Sequence, residues 1–381
     1  MFSDANILEP YEAYRELREA GPMVWMPRHR VWSVARYEVV RHVLRDVRTF
    51  TSVGGVSLND PLNAMLRGTT LASDPPVHDT LRSIVAGSLT PRAMAGRIMT
   101  IERLADNLVA TLIDRGRFDV VNDLARVLSL SVVPDFIGLP QHGRDRMLTW
   151  ASAMFNAIGP LNDRAKEGFS ALEEMAEYAE GLVAKRDLCP GSLGAGVLAA
   201  ADDGRIRPDE CPGLLIDYLA PSLDTTISSL STLMWLLARH PEQWKAVRAD
   251  PTLIPNAFNE ALRIESPVRG FCRHVSYPTE FEGVRLDRGD KVFVLFGAAN
   301  RDERKWSDPD VFDVTRRNSD HVAFGHGIHG CAGQGLARMQ SHAVLSAMVK
   351  GVESLDLISS ARTVNNITRS FSSVEVTVHT R

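Results

Sequence analysis

Phe324-Gly325-His326-Gly327-Ile328-His329-Gly330-Cys331-Ala332-Gly333 leads into Gln334-Gly335-Leu336-Ala337-Arg338-Met339-Gln340, whose spacing is helical. The reading places Cys331 at a helix start, where free backbone N–H groups and the positive end of the helix dipole favour a thiolate over a thiol. A single thiolate suits haem iron. Closely spaced glycines allow the tight or left-handed turns that let a loop lie flat against a porphyrin, and Phe324 is placed to shield the sulfur from water. A buried cysteine in a glycine-rich turn is the plainer alternative.

This segment resembles the signature of the cytochrome P450 superfamily, Phe-Gly-x-Gly-x-x-x-Cys-x-Gly, at every fixed position. The resemblance implies a mainly α fold with small β-sheets, in one large domain spanning residues 1–381. It implies haem b (iron protoporphyrin IX) as cofactor, Cys331 as the axial metal ligand, and Phe324 and Gly333 beside the macrocycle. By the same resemblance His329 hydrogen-bonds a propionate. His326 is expected at the turn surface, and His321 is expected to be a structural hydrogen-bonding residue.

Working outward, Glu260 and Arg263 lie three residues apart on one helical face, where a charge-assisted pair can form, although a solvated surface pair is the plainer reading. The segment resembles the family's Glu-x-x-Arg motif, and Pro309-Asp310-Val311-Phe312-Asp313-Val314-Thr315-Arg316 resembles its Pro-x-x-Phe-Asp-x-x-Arg. The implied role of Glu260, Arg263 and Arg316 is structural, a buried network fixing the loop that bears Cys331. In Asp74-Pro75-Pro76-Val77-His78-Asp79-Thr80-Leu81-Arg82, prolines start a helix with His78 and Arg82 four residues apart. Two such donors suit an anion, although a surface His and Arg is the plainer reading. The family pattern assigns both, together with Arg273, to haem propionates.

A long apolar helical pattern from Leu214 to Arg239 contains Ala220-Pro221-Ser222-Leu223-Asp224-Thr225-Thr226. Buried polar groups need partners or a function. Thr225 bonding back to the preceding turn, with Asp224 paired to a base, is one reading. Resemblance to the family's oxygen-binding helix gives the other, in which Asp224 and Thr225 are catalytic and relay protons to dioxygen. Pro221-Ser222 replaces the usual small residues, so a kink or widened turn is expected near Asp217 to Pro221.

The remaining chain reads as mostly helical. Helices are expected over Met1 to Gly21, Ile101 to Arg115, Phe169 to Lys185 and from Pro241 to about Arg263, with a hairpin around Met23 to Val34 and extended pieces such as Val292 to Phe296. Lys and Arg total 43 against 47 Asp and Glu, a net charge of −4 that gives no reason to expect nucleic acid as partner. Four cysteines without Cys-x-x-Cys spacing point to a reducing compartment. The start of the chain lacks a signal-peptide pattern, and no run reaches the roughly 18 apolar residues of a membrane span, so a cytoplasmic protein is expected.

The expected activity is insertion of one atom of dioxygen into a small, largely apolar organic molecule, an aromatic ring or aryl ether being favoured. No dinucleotide fingerprint or iron–sulfur cysteine set is present, so electrons are expected from elsewhere, and resemblance to the family's soluble bacterial members implies a separate ferredoxin and ferredoxin reductase. Arg338 is expected to help form a positive docking patch. Peroxide-driven or non-hydroxylating haem chemistry is an alternative, as is a haem-containing ligand-binding or sensor protein without turnover. The substrate is expected to meet the loop Thr51 to Ser73, Phe155 to Pro160, Pro221, Val268 to Phe271 and the turn near Phe371.

Overall fold

A computed structural model describes residues 1–87 and 89–380. Helices form the body of the molecule, and the expected segments appear as Pro91–Arg115 and Asp163–Lys185. The latter begins where Asn162 accepts a hydrogen bond from the Ala165 amide at 3.1 Å, satisfying one of the free donors of the first turn.

Three expected helices are each divided. Residues 1–21 form Asp4–Leu8 and Tyr11–Ala20, separated at Glu9-Pro10. The stretch after His240 forms Pro241–Ala249 and Ile254–Ile264, because Asp250 caps a short turn opened by Pro251. The long apolar pattern forms Cys211–Leu219 and Asp224–Arg239, with a turn over residues 220–223. Of the expected kink or widened turn, the structure shows the turn, and it divides the helix. Pro221 supplies no amide to continue the ladder, while the hydroxyls of Ser222, Thr225 and Thr226 take up the carbonyls of Tyr218, Pro221 and Ser222.

The main sheet has five strands in the spatial order Val24–Met26, Val31–Val34, Lys291–Leu295, Gly270–Val275 and Phe50–Thr51. The first pair is the expected hairpin, with Trp25 opposite Trp32. Arg273 stands opposite Val292 in the sheet. A three-stranded sheet joins Arg117–Asp119, Phe371–His379 and Ser354–Arg362.

The second half of the broken helix is the centre of the fold, with every residue from Thr226 to Ala238 buried. One apolar cluster reaches from Phe2 to Val378 around it, and a smaller one lies against the main sheet. No helix among the described residues is long and apolar enough to cross a membrane.

Candidate active site

A cavity opens where the break at residues 220–223 faces the glycine-rich loop, and Cys331, Phe324, Gly333, Arg82, Arg273, His329 and Thr225 all line it. Its empty space, counting the opening to solvent, is about 1790 Å³.

The cysteine loop is folded by its glycines. Gly325 and Gly327 both have φ of +73°, and a Cβ on Gly327 would stand 2.7 Å from the Leu44 carbonyl oxygen. The Cys331 amide donates to the Phe324 carbonyl at 2.8 Å, closing the turn. The following helix starts at Gln334, so Cys331 lies just ahead of it and not in its first turn. Cys331 is open to the cavity, yet the protein packed around it excludes enough water to push the thiol pKa up. The amides of Gly333 and Gln334 and the guanidiniums of Arg82 and Arg338 act in the opposite direction.

The loop is anchored as expected. Glu260 binds Arg263 through both oxygens and accepts from Arg316 Nε at 2.9 Å. Arg263 also donates to the Asn300 and Pro309 carbonyls at 2.9 and 2.7 Å, and Asn300 accepts from the Val322 amide at 2.8 Å. These bonds hold the chain on both sides of residues 307–322. His321 is structural, receiving the Ala323 amide at Nδ1 over 3.2 Å. His326 meets Arg41 at 3.5 Å and also borders the cavity.

Cationic donors collect at one edge. Arg273 is 2% exposed, its Nη1 donates to the Cys272 carbonyl at 2.8 Å, and its Nε has no partner. Burial lowers its pKa to about 10. Arg82 donates to the Gly330 carbonyl, and burial lowers its pKa as well. The His329 ring meets Asp74 at 3.5 Å and packs edge-on against His78 at 4.5 Å. His78 does not itself border the cavity. It binds Asp79 at Nδ1 over 3.1 Å, and its buried Nε2 is unpartnered.

Unpaired buried donors of this kind call for an acidic partner. No group of three or more His, Cys, Asp or Glu suited to a metal ion occurs among the described residues, so a metal at Cys331 needs ligands from a cofactor. A macrocycle carrying a metal and acidic side groups fits both demands.

Thr225 borders the cavity, its hydroxyl on the Pro221 carbonyl at 2.8 Å. Asp224 does not border it. Burial raises the Asp224 carboxyl to about 6, opposed by Arg126. Arg338 is half-buried, its guanidinium 4.7 Å above the Phe324 ring and bonded to the neutral Gln334 side chain. One expectation needs correction. Phe371 packs 5.1 Å from Trp235, inside the core and away from the cavity. Other expected lining segments do contribute, through Thr70, Phe155, Pro221, Val268 and Phe271. Phe136, Phe296 and Asp217 line it without having been singled out, since each comes from a segment whose pattern reads as ordinary core.

A cavity-lining thiol in a largely apolar chamber edged by Arg82 and Arg273 fits a metal-bearing macrocycle with acidic side groups, of which haem is one. A family model described as Cytochrome P450 matches residues 197–354. Cytochrome P450 CYP199A2 of Rhodopseudomonas palustris is 37% identical, covering 97% of this chain and 90% of its own. Cytochrome P450 107B1 of Saccharopolyspora erythraea is 31% identical over 94% of this chain and 91% of its own. Among solved structures, cytochrome P450 CREJ in complex with (4-ethylphenyl) dihydrogen phosphate has a TM-score of 0.89 at 29% identity, covering 98% of both chains. The chain belongs to the cytochrome P450 family and is a monooxygenase of that family.

Proposed function

We propose that this enzyme holds haem b on Cys331 and inserts one atom of dioxygen into a small, largely apolar molecule, an aromatic compound or aryl ether, with electrons from a separate ferredoxin and its reductase. The reading is carried by one observation: the only cavity-lining thiol among the described residues shares a largely apolar chamber with Arg273, a buried arginine whose Nε is unpartnered. Haem supplies the iron at which dioxygen is reduced.

The chain's own groups do the rest. Arg82, Arg273 and His329, backed by His78, hold the propionates, while Phe324 and Gly333 pack the thiolate side. Thr225 passes protons into the chamber, and Asp224 behind it takes them from the side facing Arg126. Side chains from Val133, Phe136, Phe155, Val268 and Phe271 exclude water and present hydrocarbon to the substrate. CREJ, the structural relative bound to (4-ethylphenyl) dihydrogen phosphate, supports a small aromatic substrate, since its ligand carries one benzene ring. A match to a single relative that runs over 97% of the chain supports reading the whole chain as one domain.

The reduced carbon monoxide spectrum of the wild type and Cys331→His tests the ligand, and a panel of benzoates, phenols, terpenes and fatty acids tests the substrate. The expected results are a thiolate-type band lost in the variant and a spin-state shift with small aromatics. A shift with long-chain acids alone overturns the substrate reading. Turnover with peroxide and none with ferredoxin and reductase overturns the electron source.

A further inference from the structure

We propose that Asp217, together with Thr70, sorts substrates in the chamber, favouring a small apolar molecule that bears a hydroxyl or amine and rejecting one that bears a carboxylate. This rests on the reading of the cavity as the substrate chamber. Asp217 lies on Cys211–Leu219, one turn before the break, and both it and Thr70 line the cavity. The Thr70 amide donates to Asp217 Oδ2 at 2.9 Å. A carboxylate offers about four acceptor positions, so this bond leaves most of them free.

Little else in the wall takes up that capacity. Among the described residues no Lys, Arg or His forms a salt bridge with Asp217; the nearby Arg82, whose charge favours the ionised form, is turned to the Gly330 carbonyl. The Thr70 side chain faces Asp217 and favours its charge, while its buried hydroxyl makes no hydrogen bond of good geometry. Leu66, Met154, Phe155 and Ile216 line the same cavity and supply only hydrocarbon. Burial also raises the Asp217 carboxyl to about 6, so it is mainly ionised at neutral pH while poorly solvated.

An O–H or N–H group arriving with the substrate satisfies this carboxylate, and a second carboxylate meets like charge in a poorly solvated place. A wall built to accept a hydrogen bond also penalises a molecule that cannot donate one. A hydrogen bond to a charged group corresponds to about a ten- to hundredfold difference in affinity.

The test uses the haem-loaded enzyme and four matched compounds: 4-ethylbenzyl alcohol, 4-ethylbenzylamine, 4-ethylbenzoate and 1,4-diethylbenzene. Affinities are read by calorimetry, which needs no turnover, in wild type, Asp217→Asn and, should that variant fold poorly, Asp217→Ser. The expected wild-type result is alcohol and amine at least tenfold tighter than benzoate. In the variants the amine's advantage over benzoate shrinks at least tenfold. Benzoate as the tightest wild-type ligand, binding of none of the four, or an order unchanged by both variants overturns the proposal. Binding in the expected order without oxidation of any compound removes the small-aromatic substrate reading alone; oxidation with an order indifferent to residue 217 removes this inference alone.

Discussion

Arg263 forks onto Glu260, Nε to Oε2 at 2.9 Å and Nη2 to Oε1 at 2.8 Å, with both side chains fully buried. Glu260 also receives Arg316 Nε at 2.9 Å and Asn318 Nδ2 at 3.2 Å, so one carboxylate neutralises and orders a whole loop. Removing one member of such a pair strands the others in a poorly solvated interior, at a cost of about 3–5 kcal/mol. Glu260→Ala is expected to lower denaturant stability by that amount and to release haem. The exposed pair Arg186 and Asp202, 2.6 Å apart, is the control, and breaking it is expected to change little. Equal effects at the two sites would remove the anchoring role.

Gly327 is the tightest point of the cysteine loop. With φ at +73° and the Leu44 carbonyl oxygen 2.7 Å from where a Cβ would lie, Gly327→Ala faces both backbone strain and a backbone atom that cannot rotate aside. The left-handed conformation alone costs roughly 1–2 kcal/mol for a residue with a Cβ. A lower Tm and faster haem loss are expected. Gly181→Ala, in a helix with open space around it, is expected to stabilise by about 0.4–1 kcal/mol. A Gly327→Ala protein as stable as wild type would show that the loop relaxes freely.

Arg273 carries a prediction whose sign depends on the cofactor. Its Nε is unpartnered and burial lowers its pKa to about 10, so without haem the charge is a burden that Arg273→Leu relieves. With haem bound, the same change removes a charge-assisted hydrogen bond, about a ten- to hundredfold loss in affinity. Haem transfer to an acceptor protein and urea unfolding of the haem-free chain measure the two halves. Destabilisation of the haem-free variant with unchanged haem retention would assign Arg273 to the sheet alone.

What could be read in the sequence was local. Phe324 to Gly333, Glu260 with Arg263, and His78 with Arg82 each hold their chemistry within a few residues, so spacing and motif located them. The helix breaks were harder because apolar periodicity runs through them. Pro221 signalled a disturbance between Leu214 and Arg239, but whether a proline bends or ends a helix depends on whether nearby hydroxyls replace the lost bonds, as Thr225 and Thr226 do. Contacts across the chain left no local trace. Glu265 gathers Arg301, Arg362 and Arg369 from far along the sequence, which holds its pKa near 2 against burial. Asp217 reads as one polar residue on an apolar helix until folding brings the Thr70 amide to it.

Asp224 couples stability and turnover through pH. Burial raises its carboxyl from 3.8 to about 6, so between those values the folded protein keeps a proton that the unfolded chain has released. Stability from this group therefore falls as pH rises through that window, and its full cost, up to about 3 kcal/mol, is present above pH 6. Asp224→Asn carries no such charge. The variant is expected to match wild type near pH 4 and to become progressively more stable than it up to about pH 6, with a constant difference beyond. The same substitution removes a group able to give and regain a proton behind Thr225, and general acid–base steps contribute typically 10²–10⁴-fold. Product formed per pair of electrons consumed is therefore expected to drop while substrate affinity holds. Urea titrations across the pH range and paired measurements of electron use and product check both halves. A stability difference independent of pH would mean that Asp224 titrates as an ordinary solvated carboxylate, and unchanged product yield would take it out of the proton path.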